Sequence, residues 1–369
     1  MVKLFTVDGL INPNIINSHI DNQENIVIID DSKEYINEYY NTLKSKGYNV
    51  HILNFDDTKN SHGFDFLEYP YYLYKNKDLD KLADSLKAIT ETFSYKDEDP
   101  YWEKTSLSLI EGIIRVLFED AKQSEINIRS IWNILEKSDV INDNSDPLKD
   151  YFQTKNKTQK SYICVSPTIN AHPDTRLSVI SLAKNSFKDL MTRDNLINVI
   201  SGKDLSVMDF KKKKQAVFIN IPKSTLIYNL FVPIFINQLF LFLTSNEYPK
   251  CNIIFRDLSN FDKFYNLNEM VKVRSDNINF EIATDYFTFK KYFNEGICLI
   301  NQTYKNKPNK KFNKYPVTKQ MDLNIFDFKT NTKPKAKKQM YTKTEIQNLI
   351  EKIDAEIEKI DREEDKKRN

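Results

Sequence analysis

A short apolar strand, an amphipathic helix and a second strand follow one another near the start of this chain. Asn25–Asp30 is β-branched and apolar between its polar ends, which is typical of a parallel strand buried on both faces. Ser32–Lys46 has helical periodicity and is followed by Gly47, and Asn49–Asn54 is the next strand candidate. Strands joined in this way form a βαβ unit with a right-handed crossover, which restricts the chain to an α/β sheet covered by helices.

The middle of the chain interrupts this alternation. Apolar residues recur at helical spacing over 78–200, and strands then resume at 215–221, 252–256, 279–284 and 296–301. The pattern predicts an α/β fold with a parallel sheet, an inserted all-α domain and a charged helical tail. The expected boundaries are 1–95 and 206–304 for the two parts of the α/β domain, 96–205 for the insertion, 305–343 for a disordered basic linker and 344–369 for the tail.

Composition excludes several classes of protein. A formal net charge of +2 over 369 residues gives no global attraction to nucleic acid. Three scattered cysteines argue against a disulfide framework and against a zinc site. The four histidines do not cluster along the chain, and we expect them in solvated loops. Residues 225–243 are uncharged and long enough to span a bilayer, but their Asn, Gln and Pro residues favour a buried helix beneath the sheet.

One predicted strand ends in an aspartate, as does the strand that carries the magnesium-side carboxylate in nucleotide-hydrolysing motor proteins. Cys251–Phe255 is apolar and is followed by Arg256 and Asp257. A nucleotide site would also need a G-x-x-x-x-G-K-[ST] loop, whose glycines expose backbone amides to the phosphates. The chain has 6 glycines, no two of them close in sequence, and the loop is absent. The sequence therefore indicates a motor-like sheet without a phosphate cradle.

Short blocks occur in a particular order along the chain. Asn12–Ile15 contains a Pro-Asn pair, Ile28–Glu34 ends a strand in Asp-Asp-Ser-Lys-Glu, and Asp99–Glu103 opens a helix with Asp-Pro-Tyr-Trp. Asp257–Phe261 follows the acidic strand, and Val273–Ser275 contains an Arg-Ser pair. Together these blocks resemble the conjugation coupling ATPases of type IV secretion systems, the TraG-like family, over nearly the whole chain.

The resemblance implies a RecA-like fold of the P-loop NTPase type. It also implies a shortened form, because the family's membrane anchor and Walker A loop precede the matched region and Met1–Leu10 corresponds to the end of that loop. The family's acidic pair is here Asp257-Leu258, and its sensor glutamine is here Asp285. Since the lost glutamate polarises the attacking water, the resemblance implies no independent ATP hydrolysis. No cofactor or metal is expected, unless a partner supplies the phosphate loop for ATP and Mg²⁺.

The charged residues at the acidic strand have more than one interpretation. Asp257 would hold Mg²⁺ in an intact motor, but without phosphate contacts a cap on the following turn is favoured. Arg256 is a cation in a former metal site, and we expect it to pair with Asp257 or Asp285. Arg274 corresponds to a finger acting on a neighbouring subunit's phosphate, or is an exposed arginine at a helix end.

Asp30 and Asp31 suggest either a two-carboxylate metal site or a helix cap. The cap is favoured, with Asp31 or Ser32 accepting from the amides of the following helix. Tyr101 and Trp102 follow a helix-start signal and are expected as aromatic anchors of the helical core, with base stacking as the alternative.

Two lysine-rich stretches raise the question of nucleic acid. They either follow a phosphate backbone or lie in solvated loops, and lysines alone would read no base sequence. The candidate contacts are Lys211, Lys212, Lys213, Lys214, Lys305, Lys307, Lys310 and Lys311.

The function expected from the sequence is that of a degenerate coupling-protein homologue without ATPase activity. It would be an interaction module in DNA transfer that binds the intact coupling ATPase, a relaxosome protein or DNA. We expect it in the cytoplasm, held at the inner face of the membrane only through a partner. The alternative is the downstream half of a split, ATP-driven DNA-translocating motor.

Overall fold

The computed structural model describes most of the first 284 residues. The described residues are 2–6, 13–94, 99–139, 146–222, 230–245, 247–261, 264, 266–273 and 276–284. The predicted strand at 296–301, the linker and the heptad tail lie outside this part of the chain.

A parallel sheet forms the centre of the described structure. Its strands are β1 (Val2–Thr6), β2 (Asn25–Asp30), β3 (Asn49–Asn54), β4 (Gln215–Asn220), β5 (Cys251–Phe255) and β6 (Ile278–Thr284). The spatial order is β1-β6-β5-β2-β4-β3, and every pairing among the described strands is parallel. The predicted parallel α/β sheet is thus confirmed, with strand ends within one residue of those expected.

The first strand was not predicted. Residues 2–6 were expected to match the end of a phosphate loop, but they form β1, which pairs with β6. Helix α1 (Pro13–Asp21) follows, so residues 7–12 connect a strand to a helix and themselves lie outside the described residues. A phosphate loop lies between a strand and the helix that follows it, and residues 7–12 have this position in the sequence. These residues contain one glycine and no lysine.

Helix α2 (Glu34–Ser45) connects β2 to β3. Its apolar face, with Tyr35, Ile36, Tyr39 and Leu43, is buried. Strands β2 and β3 of the predicted βαβ unit are not neighbours in the sheet. Strand β4, which occurs much later in the sequence, lies between them.

Most of the helices lie between β3 and β4 in sequence. They are α3 (Glu68–Lys75), α4 (Leu79–Thr92), α5 (Pro100–Asp120), α6 (Ile128–Ser138), α7 (Pro147–Gln153), α8 (Lys160–Ile169), α9 (Pro173–Met191) and α10 (Asp194–Ile200). Three of these helices begin after a residue whose side chain caps the first turn. Asp99 accepts from the amide of Tyr101, Asn127 from Ser130 and Asp146 from Lys149.

Two connections link these helices to the sheet, and they cross each other. Phe64 donates its backbone N–H to the carbonyl of Val199 at 2.7 Å, and Leu205 donates to the carbonyl of Gly63 at 3.0 Å. At the crossing, a Cβ on Gly63 would lie 2.3 Å from the Cα of Gly202. The backbones can approach this closely only because neither residue has a side chain.

Within the apolar run at 225–243, residues Phe231–Leu243 form α11, a buried helix. The side-chain amide of Gln238 donates to the carbonyl of Phe66 at 2.8 Å, which satisfies a polar group with no solvent exposure. Within the described residues, no helix has both the length and the apolarity needed to cross a bilayer. A short helix, α12 (Leu267–Lys272), precedes β6.

Candidate functional site

The carboxyl ends of β2 and β5 lie side by side at one edge of the sheet. Their register pairs Ile29 with Phe255, so Asp30 and Arg256 both lie one residue beyond a matched pair. Ligands of open parallel sheets bind at this edge, outside the carboxyl ends of the strands. It is therefore where a nucleotide site would have to be assembled.

Arg256 forms ion pairs with three carboxylates on the neighbouring β2–α2 connection. Its Nη1 lies 3.1 Å from Asp30 Oδ1 and 3.5 Å from Asp31 Oδ1, and its Nη2 lies 2.7 Å from Glu34 Oε2. The guanidinium also lies over the ring of Tyr35, 5.9 Å from the centroid. The expected pairing of Arg256 with Asp257 is wrong, because successive side chains leave a strand in opposite directions and Arg256 points toward β2. Asp285 lies outside the described residues.

Asp30 is the central acceptor of this cluster. Its side chain is 4% exposed and accepts from Arg256, from the amide and hydroxyl of Ser32, and from the amide of Tyr35 at 2.9 Å. Ser32 Oγ in turn accepts from the amide of Glu34 at 3.2 Å. The predicted helix cap is confirmed for Ser32, but Asp30 performs the role that was expected of Asp31. The turn is completed by Lys33, which has a positive φ of 63°.

Asp257 caps the turn after β5, as its sequence position suggested. Its Oδ1 accepts from the amide of Ser259 at 2.9 Å, at the start of a single 3-10 turn. The next residue, Leu258, has no exposed surface and belongs to the hydrophobic core. An aliphatic side chain buried in the core cannot activate a water molecule, and Leu258 contributes to packing.

The charge of this edge does not suit a nucleoside triphosphate. Three carboxylates, those of Asp30, Asp31 and Glu34, surround the guanidinium of Arg256, and Asp257 adds a fourth carboxylate to this edge. Phosphates need cations and exposed amides, and the cation present here is already bound to carboxylates. Among the described side chains, none group as three or more potential metal ligands either. The described residues of this edge therefore do not fit ATP with Mg²⁺.

The four consecutive lysines lie at the opposite edge, where β4 begins. Lys211, Lys212 and Lys213 are exposed, and Lys214 adopts a positive φ of 61°. Lys214 Nζ donates to the carbonyl of Lys46 at 2.9 Å, at the end of α2. The lysine run thus extends a basic surface on the amino-terminal edge of the sheet, away from Arg256.

Several predicted site residues lie outside the described part of the chain. These are Arg274, Asp285, Lys305, Lys307, Lys310 and Lys311. Their roles remain predictions.

The aromatic pair at the start of α5 is divided between core and surface. Trp102 is half-buried and packs against the hydrophobic core, whereas Tyr101 is 44% exposed. Their rings meet edge to face with centroids 5.3 Å apart. The expectation of two core anchors is correct for Trp102 and wrong for Tyr101, because adjacent helical residues point in different directions.

Of the four histidines, His172 is exposed as expected, whereas His19 and His51 are buried and His62 is partly buried. His19 is buried and lies between Glu24 at 2.7 Å and Glu281 at 3.0 Å. Burial by itself would raise the pKa of Glu24, but hydrogen bonds from Asn252 and His19 and the charge of Lys250 hold it below its usual range. The network joins α1 to β5 and β6, and sequence spacing could not reveal it because His19 and Glu281 are 262 residues apart.

A second histidine contact forms on the edge strand β3. The rings of His51 and His62 meet edge to face, with centroids 5.3 Å apart. Burial, followed by the neighbouring His62, lowers the pKa of His51. His62 Nδ1 accepts the amide of Ile52 at 2.9 Å, so this pair closes part of the exposed sheet edge.

Known structures with a similar fold are conjugative coupling proteins. TrwBdeltaN70 in complex with sulphate matches with a TM-score of 0.54 and 12% identity, over 79% of this chain and 65% of that chain. TrwB in complex with the ATP analogue ADPNP matches with a TM-score of 0.52 and 12% identity, over the same shares. This chain therefore spans slightly less than two thirds of the length of those proteins. At such identity the likeness establishes a RecA-like fold and nothing finer.

Sequence comparison identifies the family. No curated protein matches this chain. The profile of the family described as "Type IV secretory system Conjugative DNA transfer" matches residues 7–257, which is more than half of the chain and ends at Asp257. The chain belongs to this family of conjugative DNA-transfer coupling proteins.

Proposed function

We propose that this protein is a coupling-protein homologue that does not hydrolyse ATP and acts as an interaction module in conjugative DNA transfer. Its partners would be the intact coupling ATPase, a relaxosome protein or DNA. One observation carries the proposal. At the edge where a motor would bind nucleotide, Arg256 is held by three carboxylates and the following catalytic position is the buried Leu258.

Two separate requirements of hydrolysis are unmet by the described residues of this edge. Phosphoryl transfer needs cations to stabilise the charge of the transferring group and a side chain to orient the attacking water. Arg256 is neutralised by Asp30, Asp31 and Glu34, and Leu258 has neither a proton acceptor nor access to solvent. Restoring one requirement would leave the other unmet.

The fold that remains supports an assembly role. The parallel sheet, its covering helices and the family match are those of a coupling protein, and these support a place for the chain beside intact subunits. A chain of this kind that lies beside intact subunits would change their rate of ATP hydrolysis without hydrolysing ATP itself. Such an assembly would also hold it at the inner face of the membrane.

The test is copurification with the intact coupling ATPase of the same conjugative element, with ATP turnover measured on the recovered material. We expect association, a changed turnover per intact subunit, and no nucleotide binding by this chain alone. The chain with Asp257→Ala is the matched control, since it should behave like the wild type.

Two results would contradict the proposal. ATP hydrolysis by the purified chain, abolished by Asp257→Ala, would show an active motor. Turnover that appears only when a second polypeptide supplies a Gly-Lys-Ser/Thr loop, and that is lost in the Asp257→Ala chain, would favour the split-motor alternative.

A further inference from the structure

The outer edge of β3 is covered by the chain segment that follows it. β3 is the last described strand at one end of the sheet, so every second backbone amide faces away from β4. His62 donates its amide to the carbonyl of Ile52 at 2.9 Å, and the amide of Ile52 donates to His62 Nδ1 at 2.9 Å. The amide of Asn54 donates to Ser61 Oγ at 2.8 Å. We call residues 58–62 the latch.

The contact with Ile52 holds His62 as a neutral imidazole. A backbone N–H can donate but not accept, so Nδ1 of His62 must carry a lone pair to receive it. A protonated Nδ1 would instead have to turn to the carbonyl of Ile52, which is 3.3 Å away and already accepts the amide of His62. The closed latch therefore disfavours the imidazolium form of His62.

His51 is held neutral in the same way, but through its other ring nitrogen. The side-chain amide nitrogen of Asn49 lies 2.8 Å from His51 Nε2 and 3.2 Å from Gln215 Oε1. Gln215 directs its own amide nitrogen to the carbonyl of Lys213, so its oxygen faces Asn49, and Asn49 presents N–H groups to both neighbours. A protonated Nε2 of His51 would place one N–H against another.

The two rings also act on each other. Their centroids are 5.3 Å apart, and His51 is 9% exposed, so two imidazolium groups here would repel each other with little screening by water. Burial, followed by the neighbouring His62, lowers the pKa of His51, and Lys44 acts in the same direction. The carboxylates of Asp209 and Asp204 act in the opposite direction.

The carboxylates around the ring pair are bound to other groups. Asp204 and Asp209 each accept a backbone amide, and Asp57 accepts a side-chain amide of the latch. Asp194, on the neighbouring α10, is paired with an arginine, and Lys59 of the latch is exposed. Histidine is the side chain that ordinarily changes its charge between pH 5 and 8, so acidification acts on this edge through the two rings.

We propose that the latch is an acid-sensitive cover of β3, closed while His51 and His62 are neutral and released when they are protonated. Its contribution to stability is complete above the ordinary pKa of histidine and is lost as the pH falls through that value. Release exposes the outward amides of an edge strand, which can then pair with another chain. The change is local, because the amides of Asn49 and Phe55 remain bonded to β4 and the connection before it.

Hydrogen exchange followed by mass spectrometry tests the latch on the full chain. Overlapping peptides that resolve the amides of Ile52 and Asn54 are compared with peptides of the central strand β2 at pH 7.5 and 5.5, after correction for the intrinsic pH dependence of exchange. Protection of the two amides should fall about tenfold for each histidine that the closed latch keeps neutral, because an ordinary histidine is about 90% protonated at pH 5.5. Protection of β2 should change much less.

Two substitutions keep the hydrogen-bond acceptors and remove the titration. His62→Asn places an amide oxygen near the position of Nδ1, and His51→Gln places one near the position of Nε2. The double variant should keep Ile52 and Asn54 protected at pH 5.5, and each single variant should retain one of the two steps. His172→Asn, which changes an exposed histidine, is the matched control and should respond to pH as the wild type does. Unfolding midpoints at pH 7.5 show that each variant is folded.

A second measurement uses the wild-type chain, with the single variants serving for assignment. Nitrogen NMR of ¹⁵N-labelled histidine at pH 7.5 should show two neutral rings of opposite tautomer, with the hydrogen on Nδ1 of His51 and on Nε2 of His62. Signals of two imidazolium rings at this pH would contradict the closed, neutral pair.

Two exchange results would also overturn the proposal. The first is a loss of protection at pH 5.5 that is no greater in β3 than in β2. The second is an undiminished loss in a folded double variant, which would assign the acid sensitivity to other groups such as Asp204 and Asp209. Neither measurement involves the intact ATPase, so its outcome is independent of the proposed function.

Discussion

The backbones of Gly63 and Gly202 touch where the chain leaves the sheet for the helices and where it returns. A Cβ on Gly63 would lie 2.3 Å from the Cα of Gly202, and one on Gly202 would lie 2.6 Å from the Cα of Gly63. The two glycines are far apart in sequence. Their contact determines how the two connections between the sheet and the helices pass each other.

Alanine at either glycine should therefore destabilise the protein. The added methyl group meets backbone atoms, which cannot move aside as a flexible side chain would, and overpacking of this kind costs roughly 1–3 kcal/mol. Urea unfolding of Gly63→Ala and Gly202→Ala measures the effect. The neighbouring exposed Lys203→Ala is the control, and midpoints equal to the wild type in the glycine variants would contradict the described contact.

Removing the cation at the carboxyl edge should also destabilise the fold. Arg256→Gln leaves the buried carboxylate of Asp30 without its ion pair, and we expect a loss of about 2–3 kcal/mol, somewhat below the cost for a fully buried pair because Arg256 is 20% exposed. Lys33→Gln, which breaks the more exposed pair with Asp56, should cost less than about 1 kcal/mol. Chemical denaturation of both variants gives the comparison, and equal losses would refute a special role for Arg256.

Restoring the family's acid should not restore activity. Leu258→Glu places a carboxylate in the hydrophobic core, which should destabilise the protein by about 3 kcal/mol or more. Arg256 would still be bound by three carboxylates, so no ATP turnover is expected. Leu258→Met, which keeps the volume and apolarity, is the matched control. A folded Leu258→Glu variant that hydrolyses ATP would show that the site had lost only its base.

Asp65 makes stability depend on pH in a defined direction. Burial raises the pKa of this carboxyl to about 6, although it accepts the amide of Leu67. The folded state then binds more protons than the unfolded state between pH 4 and 6, so the contribution of Asp65 to stability decreases as the pH rises through that window.

Asp65→Asn keeps a hydrogen-bond acceptor but removes the buried charge. It should stabilise the protein by roughly 2–3 kcal/mol at pH 7.5 and by much less at pH 4. Thermal or urea unfolding at the two pH values measures the difference. Asp80→Asn, which changes an exposed side chain, is the matched control. A stabilisation by Asp65→Asn that is equal at both pH values would exclude the titration of Asp65 as its cause.

The sheet could be predicted where apolar β-branched runs end at polar residues. β2, β3, β4 and β5 all have this form, and their positions agree with the sequence pattern to within a residue. β1 was missed because Val2–Thr6 is short and contains a lysine and a threonine, so its pairing with β6 depends on residues that are more than 270 positions away.

The site was only partly predictable. The cap formed by Asp257 follows from local chemistry, since a carboxylate before a turn can reach an amide two residues later. The partners of Arg256 depend instead on which strand lies beside β5, and the sequence does not specify that order. The close approach of Gly63 to Gly202 and the burial of His19 are likewise properties of the tertiary arrangement.

The helix α11 has a consequence for how the chain is made. Its aromatic contacts before it in the sequence include Phe55, Phe64, Phe66, Phe93 and Phe210, and Tyr248 follows it. As the chain leaves the ribosome, this apolar segment therefore emerges after most of its aromatic contacts. The order of synthesis shortens the time during which this segment is exposed.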